Sequence, residues 1–299
     1  MTLRSSAQAL QFQNIGIVGK PQNPQAAETI QTLHDHLLSL GCRLWVQQSL
    51  ADDLVSQDAT FIPRSELGKQ VDLIVVVGGD GSMLNAGRTQ IQHQVPMVGI
   101  NRGHLGFLTD VRPTEVVERI SEVLQGQFDE EQRYILNAEV IRDGSVIGNS
   151  TAVNEVVIHP GEISKMLEFE LFIDDQFVYS QRSDGLIVST PTGSTAYALS
   201  GGGPIISPKV DAMVLVPMFP HTLSSRPIVI DANSVVELVI AQDSRHSPMV
   251  SCDGQENMSL APSDRIRIKK HPLALRILHP KNHDYYEVLR TKLGWGSKL

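Results

Sequence analysis

Hydrophobic and polar positions along the first third of the chain alternate between short apolar runs and helical periodicity. Ile15–Val18 and Cys42–Val46 are short apolar runs that predict strands. Between them Ile30, Leu33, Leu37 and Leu40 recur at helical spacing, predicting a helix over 26–40 closed by Gly41. Leu73–Val77 is unbroken Leu-Ile-Val-Val-Val, the composition of a strand covered on both faces. Val95–Ile100 predicts another strand, and Val116, Val117, Ile120, Val123 and Leu124 predict the inner side of a helix over 113–124. Strand and helix in alternation imply a doubly wound parallel α/β domain.

Beyond Gly126 the pattern changes to period two. Strands are predicted at 137–141, 153–158, 167–173, 176–179, 186–189, 212–216, 228–230, 235–240, 265–269 and 273–278, with Asp143-Gly144 and Asp174-Asp175 as turns. No long helical pattern interrupts them, so an all-β, sandwich-like domain is expected. Tyr285, Leu289 and Leu293 return to helical spacing. The expected division is residues 1–126 for the α/β domain and 127–283 for the β-rich one.

Composition narrows the class. Hydrophobic content of 41% and charged content of 19% are those of an ordinary globular protein. A net charge of -8 argues against nucleic-acid backbone binding. Cys42 and Cys252 make no disulfide framework and read as reduced. Met1–Gln13 has no apolar leader, and no run approaches membrane-spanning length, so a cytoplasmic protein without membrane contact is expected.

Candidate chemistry begins where the Leu73–Val77 strand stops, at Gly78-Gly79-Asp80-Gly81, with a helix read from Ser82. Strand, glycine turn and helix build a phosphate site, because glycine lets backbone N–H groups approach an anion. Asp80 would repel a phosphate, so it is better given a job: holding a cation or taking a proton from a hydroxyl. The turn is not a P-loop, since no Gly-Lys-Ser/Thr follows Gly81, and Leu84 replaces the third glycine of the dinucleotide fingerprint. A plain Asp-Gly hairpin is the alternative.

Three further stretches stand out. Asn154-Glu155, inside a predicted strand, suits the two hydroxyls of a ribose; the alternative is an edge position with Glu155 facing water. Arg182 and Asp184 flank Ser183 and read equally as an ordinary ion pair. Thr190–Pro204 packs hydroxyls and glycines into one segment that offers amides and hydroxyls to a polar ligand; Tyr197, Leu199 and its two prolines argue against a flexible linker. Val250–Gln255 reads as a turn leaving a strand, and Phe107 as a base-stacking or a core aromatic. Ten histidines occur without His-Glu-x-x-His or Cys-x-x-Cys spacing, so spacing lends a zinc site little support.

In series, Gly78–Ser82, Asn154-Glu155 and Thr190–Ser200 resemble the NAD kinases of the bacterial type, over nearly the whole chain. The resemblance implies an α/β nucleotide-binding domain, a β-rich NAD-binding domain, and a terminal helix over 284–299 returning to the first. It implies transfer of the γ-phosphoryl of ATP to the 2′-hydroxyl of the adenosine ribose of NAD, giving NADP. Asp80 matches the proton acceptor and Gly81 its neighbour, with Gly78 and Gly79 at the phosphates. Asn154 and Glu155 match a pair that holds NAD. Lys165, Arg182, Asp184, the segment Thr195, Ala196, Tyr197, Ala198, Leu199 and Ser200, and Gln255 match further NAD contacts. A divalent cation, magnesium or manganese, and a homo-oligomer, often a tetramer, are implied as well. A lipid or sugar kinase, a dinucleotide sensor and an oxidoreductase are the rival readings.

Overall fold

The computed structural model describes residues 10–103, 106–161, 166–242 and 248–296. The chain divides into two compact units, residues 1–132 with 275–299, and residues 133–274. The crossings fall inside two long strands rather than at the 126/127 and 283/284 positions expected from texture, because the strand pattern runs on through them.

In the first unit β1 (Asn14–Gly19) is followed by α1 (Pro24–Ser39), β2 (Arg43–Gln47), β3 (Ala59–Ile62), β4 (Leu73–Gly78), α2 (Asp80–Gln90), β5 (Met97–Asn101) and α3 (Val116–Leu124). The strands are parallel in the order β3-β2-β1-β4-β5. The chain winds outward from β1 in one direction and from β4 in the other, so the turns after β1 and β4 meet at the point where the winding reverses. Ligands of such sheets bind there, beyond the carboxyl ends. Every residue of β4 is buried, as its unbroken apolar run requires. α1 begins with Asn23 capping the Ala26 N–H and Pro24 in its first turn, and buries Ala26, Ile30, Leu33 and Leu37. These pack with Ile15, Ile17, Val75 and the inner residues of α3. Val117, expected inside, is 44% exposed; α3 turns Val116, Ile120, Val123 and Leu124 inward instead.

The second unit is built from β6 (Phe128–Arg142), β7 (Ser145–Ala152), β8 (Glu155–His159), β9 (Leu167–Ile173), β10 (Gln176–Ser183), β11 (Gly185–Ser189), the single turn α4 (Tyr197–Ser200), β12 (Ala212–Met218), β13 (Ile228–Asp231), β14 (Val236–Ile240), β15 (Met249–Cys252), β16 (Glu256–Ser259) and β17 (Arg265–Pro280). One antiparallel sheet has the order β13-β12-β11-β8-β15-β16. Facing it, β10-β9-β14-β17 continues into β6 and β7. Alternate residues such as Leu167, Phe169 and Leu171 meet Leu186, Val188, Met213 and Leu215 in one core, as a sandwich demands. Asp143-Gly144 and Asp174-Asp175 take positive φ in two-residue hairpin turns, as read from sequence.

The end of β17 belongs to the first unit, where Ile277 pairs in parallel with Met97. α5 (Tyr285–Leu293) follows, capped by Asp284 and ended by Gly294 at φ 66. The ring of Tyr285 lies 6.2 Å from that of Phe107, which is a packed aromatic here. Cys42 and Cys252 are both free thiols, buried in their units.

Candidate functional site

The first cluster forms at the end of β4. α2 starts at Asp80, not at Ser82, with Gly79 as its cap at φ −103, so Asp80 occupies the first helical position. The helix excludes the Asp-Gly hairpin alternative. Glycine is needed here for space and not for positive φ: a Cβ on Gly78 would stand 2.3 Å from Ser82 Oγ. The Asp80 carboxylate is fixed by the segment after β5. Phe107 N–H donates to Oδ2 at 2.9 Å, Leu108 N–H to Oδ1 at 3.0 Å, and Thr109 Oγ1 to Oδ1 at 3.2 Å. Thr109 is held in turn by Asn101 Nδ2 at 3.0 Å. Gly106 is indispensable to this wrap, since a Cβ there would fall 2.1 Å from Asp80 Oδ1. A carboxylate has about four acceptor positions; among the described residues three are taken, and Oδ2 retains one. The result is a rigid acceptor beside the exposed Gly79 and Gly81, at a helix N-terminus whose dipole favours anions. The sequence also reads Asn101–Phe107, after the Val95–Ile100 strand, as a second glycine-bearing turn; His104 and Leu105 within it lie outside the described residues.

The second cluster surrounds the start of β8. Asn154 precedes the strand and Glu155 opens it, so the pair straddles a bend and is not inside a strand. β8 lies between β11 and β15, and Glu155 is 7% exposed, which overturns the edge reading with Glu155 in water. Asp253 organises this corner. It sits with Gly254 in the left-handed turn between β15 and β16, and its carboxylate accepts from the backbone N–H groups of Val153, Asn154 and Glu155 at 2.9, 2.8 and 3.2 Å. Glu155 Oε2 is buried with no partner among the described residues. Burial, then the negative charge of Asp253, pushes the Glu155 carboxyl up to about 8. At neutral pH it is therefore an acid that can both donate and accept, which suits a diol differently from the acceptor expected from sequence.

The Thr190–Pro204 segment is held against this corner. Thr190 N–H donates to Asn154 O at 2.9 Å, Ser189 Oγ to Asn154 O at 3.1 Å and Thr190 Oγ1 to Val153 O at 2.7 Å. Ser194 Oγ donates to Pro191 O and accepts from Ile206 N, Thr195 Oγ1 donates to Thr192 O, and buried Arg133 donates to Thr192 Oγ1. The hydroxyls are thus largely spent on shaping the loop, and fewer face a ligand than composition implies. Ala198 is buried with Ile206 on Ile187, Val214 and Val216, the outer face of the β11–β12 pair. Thr195, Ala196 and Leu199 are half-buried; Tyr197 and Ser200 are exposed.

The remaining sequence candidates do not gather here. Arg182 and Asp184 form no ion pair with each other and lie beyond the Gly185 end of β11, whereas Glu155 pairs with Ser189 at the other end. Asp184 and Ser189 are five residue steps apart along an extended strand, about 17 Å. Gln255 is exposed, just past the Asp253-Gly254 turn. Lys165 lies outside the described residues. Sequence reasoning noted the Val250–Gln255 turn without isolating Asp253, placed Gly106 in a second glycine-bearing turn over 101–107 without giving it a role, and missed Thr109 altogether. For Asp253, the Asp-Gly turn pair was the available signal, and for Gly106 the glycine-bearing turn after a strand; Thr109 carried none that separates it from ordinary loop residues.

Among the described residues one group has metal-ligating character, Asp110 with His279 and His283. No helix among them is long and apolar enough to cross a membrane.

Comparison with known proteins adds an independent finding. Residues 15–128 match the ATP-NAD kinase N-terminal domain family, and residues 153–279 the ATP-NAD kinase C-terminal domain family. The NAD kinase of Pseudomonas entomophila (strain L48) is 52% identical over 97% of this chain and 98% of its own length. That of Pseudomonas syringae pv. syringae (strain B728a) is 53% identical over the same shares. Among solved structures, yeast NADH kinase complexed with NADH superposes with a TM-score of 0.87 at 27% identity, covering 96% of this chain and 89% of that one. An NAD kinase from Archaeoglobus fulgidus in complex with ATP gives a TM-score of 0.72 at 25% identity, covering 94% and 98%.

Proposed function

This chain belongs to the NAD kinase family and phosphorylates NAD to NADP with ATP; from that premise we propose that Asp80 is the group that accepts the proton of the hydroxyl being phosphorylated. The observation that carries it is the three-donor wrap, which among the described residues leaves one acceptor position of Asp80 Oδ2 open and fixed in direction. Gly78, Gly79 and Gly81 allow phosphate oxygens to reach the N–H groups at the start of α2. Phosphoryl transfer asks mainly for positioning and charge neutralisation, and a pre-set carboxylate at a glycine turn supplies both.

Asn154 and Glu155 hold NAD, the Glu155 acid donating to one ribose oxygen. Gly81, Lys165, Arg182, Asp184, the Thr195–Ser200 segment and Gln255 add contacts. Because Arg182 and Asp184 stand at the far end of β11 from Glu155, they reach the same nucleotide only from a second copy of the chain. The working form is accordingly a homo-oligomer, a homotetramer by family habit, in the cytoplasm; a strictly monomeric active enzyme in sedimentation would remove this part of the reading. A magnesium or manganese ion accompanies ATP. The turn suits an ion held chiefly by phosphate oxygens and water, the usual manner of magnesium, because Asp80 has a single acceptor position to spare. Bound there, such an ion neutralises phosphate charge.

Asp80→Asn tests the assignment. A general base contributes roughly 10²–10⁴-fold, so kcat should fall by that factor while NAD affinity changes little. Equal losses in kcat and NAD affinity, or a collapse of thermal stability, would make Asp80 structural.

A further inference from the structure

We propose that Asp110, His279 and His283 form a site for a borderline transition-metal dication of the zinc class, distinct from the ion that accompanies ATP. The three residues come from separate segments of the first unit: the stretch after the Asp80-holding loop, the end of β17 and the link into α5. Their ligating atoms all lie within 4.8 Å of one another. Asp110 Oδ2 is 3.0 Å from His279 Nδ1 and 2.8 Å from His283 Nδ1. Ligand atoms around tetrahedral zinc, at bond lengths near 2.0–2.1 Å, stand about 3.3 Å apart. The two edges from Asp110 therefore lie within a few tenths of an ångström of the spacing of a coordination shell.

Two further features point to a metal. His279 Nε2 lies 3.2 Å from Glu131 Oε2, and a carboxylate on the second ring nitrogen is the outer partner that orients metal-binding histidines. Asp110 Oδ1 and His283 Nε2 are both buried without a partner among the described residues. A cluster serving only as a hydrogen-bonded clamp has no reason to leave both orphaned; a carboxylate that can become bidentate, and a ring turned to present Nδ1, account for them. The imidazole rings are stacked, with centroids 4.1 Å apart, which aims both Nδ1 atoms at the same carboxylate oxygen. Metal entry must open that stack slightly. Any proton carried by an Nδ1 that becomes a ligand leaves to solvent as the metal binds.

Donor chemistry selects the ion. Two imidazoles and one carboxylate suit zinc, cobalt or nickel, whereas magnesium and calcium prefer all-oxygen shells. Occupancy would have a mechanical consequence, because Asp110 directly follows Leu108 and Thr109, the residues bonded to Asp80. A metal at Asp110 ties the C-terminal segment to the loop that aims the Asp80 carboxylate. The site itself does not depend on what Asp80 does.

The experiment uses the full-length, untagged protein, stripped with chelator and then dialysed against zinc or magnesium, with bound metal measured by elemental mass spectrometry. Wild type should keep one equivalent of zinc per chain and no magnesium at this site. Cobalt(II) should give the visible bands of a low-coordinate nitrogen–oxygen site. His283→Ala, a partly exposed position whose folding is checked by circular dichroism, should lose the bound zinc. Glu131→Gln should weaken it about 10–100-fold, and Asp80→Asn should leave it unchanged. Absence of retained zinc in the wild type overturns the proposal, as does equal retention by folded His283→Ala and Asp110→Asn.

Discussion

Replacing Glu155 by Gln should change how stability depends on pH, and the structure sets the size of the effect. Glu155 is 7% exposed, and its carboxyl is raised from its ordinary value of 4.5 to about 8, first by burial and then by Asp253. A raised acid favours the unfolded chain wherever that chain is ionised and the native one is not. Stability from this group is therefore complete below about pH 4.5, falls as pH rises, and levels off near pH 8. At about 1.36 kcal/mol for each tenfold change in proton affinity, moving from 4.5 to about 8 amounts to about 5 kcal/mol above pH 8, and to about 3 kcal/mol at pH 7. Glutamine cannot ionise, so the variant lacks this slope. Urea unfolding of both proteins at pH 5 and pH 8 isolates the effect, because the pH-independent consequences of the amide cancel between the two conditions. Between pH 5 and pH 8 the variant should gain on the order of 4 kcal/mol relative to wild type. Stability curves that stay parallel to within about 1 kcal/mol would mean that Glu155 is ionised in the folded protein, and its assignment as an acid facing the ribose would be withdrawn.

Gly106→Ala should damage catalysis from a position that touches no substrate: its Cβ meets Asp80 Oδ1 at 2.1 Å, and relieving that clash costs about 1–3 kcal/mol and turns the carboxylate. Steady-state kinetics should then record a lower kcat, and an unchanged kcat would show that the wrap around Asp80 is dispensable. Asp253→Asn removes charge from an acceptor of three backbone N–H groups, for a loss of about 1.5–3 kcal/mol in urea unfolding, while it lowers the pH at which Glu155 ionises. An unaltered Glu155 transition in Asp253→Asn would assign the shift to burial alone.

The chain's own pattern carried most of the architecture. Leu73–Val77 has no polar residue to offer water, so it can exist only as a strand covered on both faces, and it is one. Asp143-Gly144 and Asp174-Asp175 specify their hairpins because few residues tolerate the left-handed backbone those turns require. Local signals were weaker where the backbone decides. The start of α2 fell two residues before the sequence reading, since Gly79 caps the helix without a side chain to advertise it. Asn154-Glu155 read as an edge or an interior strand equally well, because a period-two pattern cannot say which strands lie alongside.

The sequence by itself determined the two kinds of domain, the glycine turn with its single acid, and the family. Tertiary structure alone decided what that acid touches, as Phe107, Leu108 and Thr109 approach Asp80 from 27 to 29 positions away. It alone buried Glu155 beside Asp253, 98 positions further along the chain, and so made a carboxylate an acid. It brought Asp110 to His279 across 169 positions, where no spacing motif announced a metal-ligating group. The physical reason is common to all three. Periodicity and turn chemistry act between neighbours in sequence, while desolvation, charge proximity and ligand geometry act between neighbours in space.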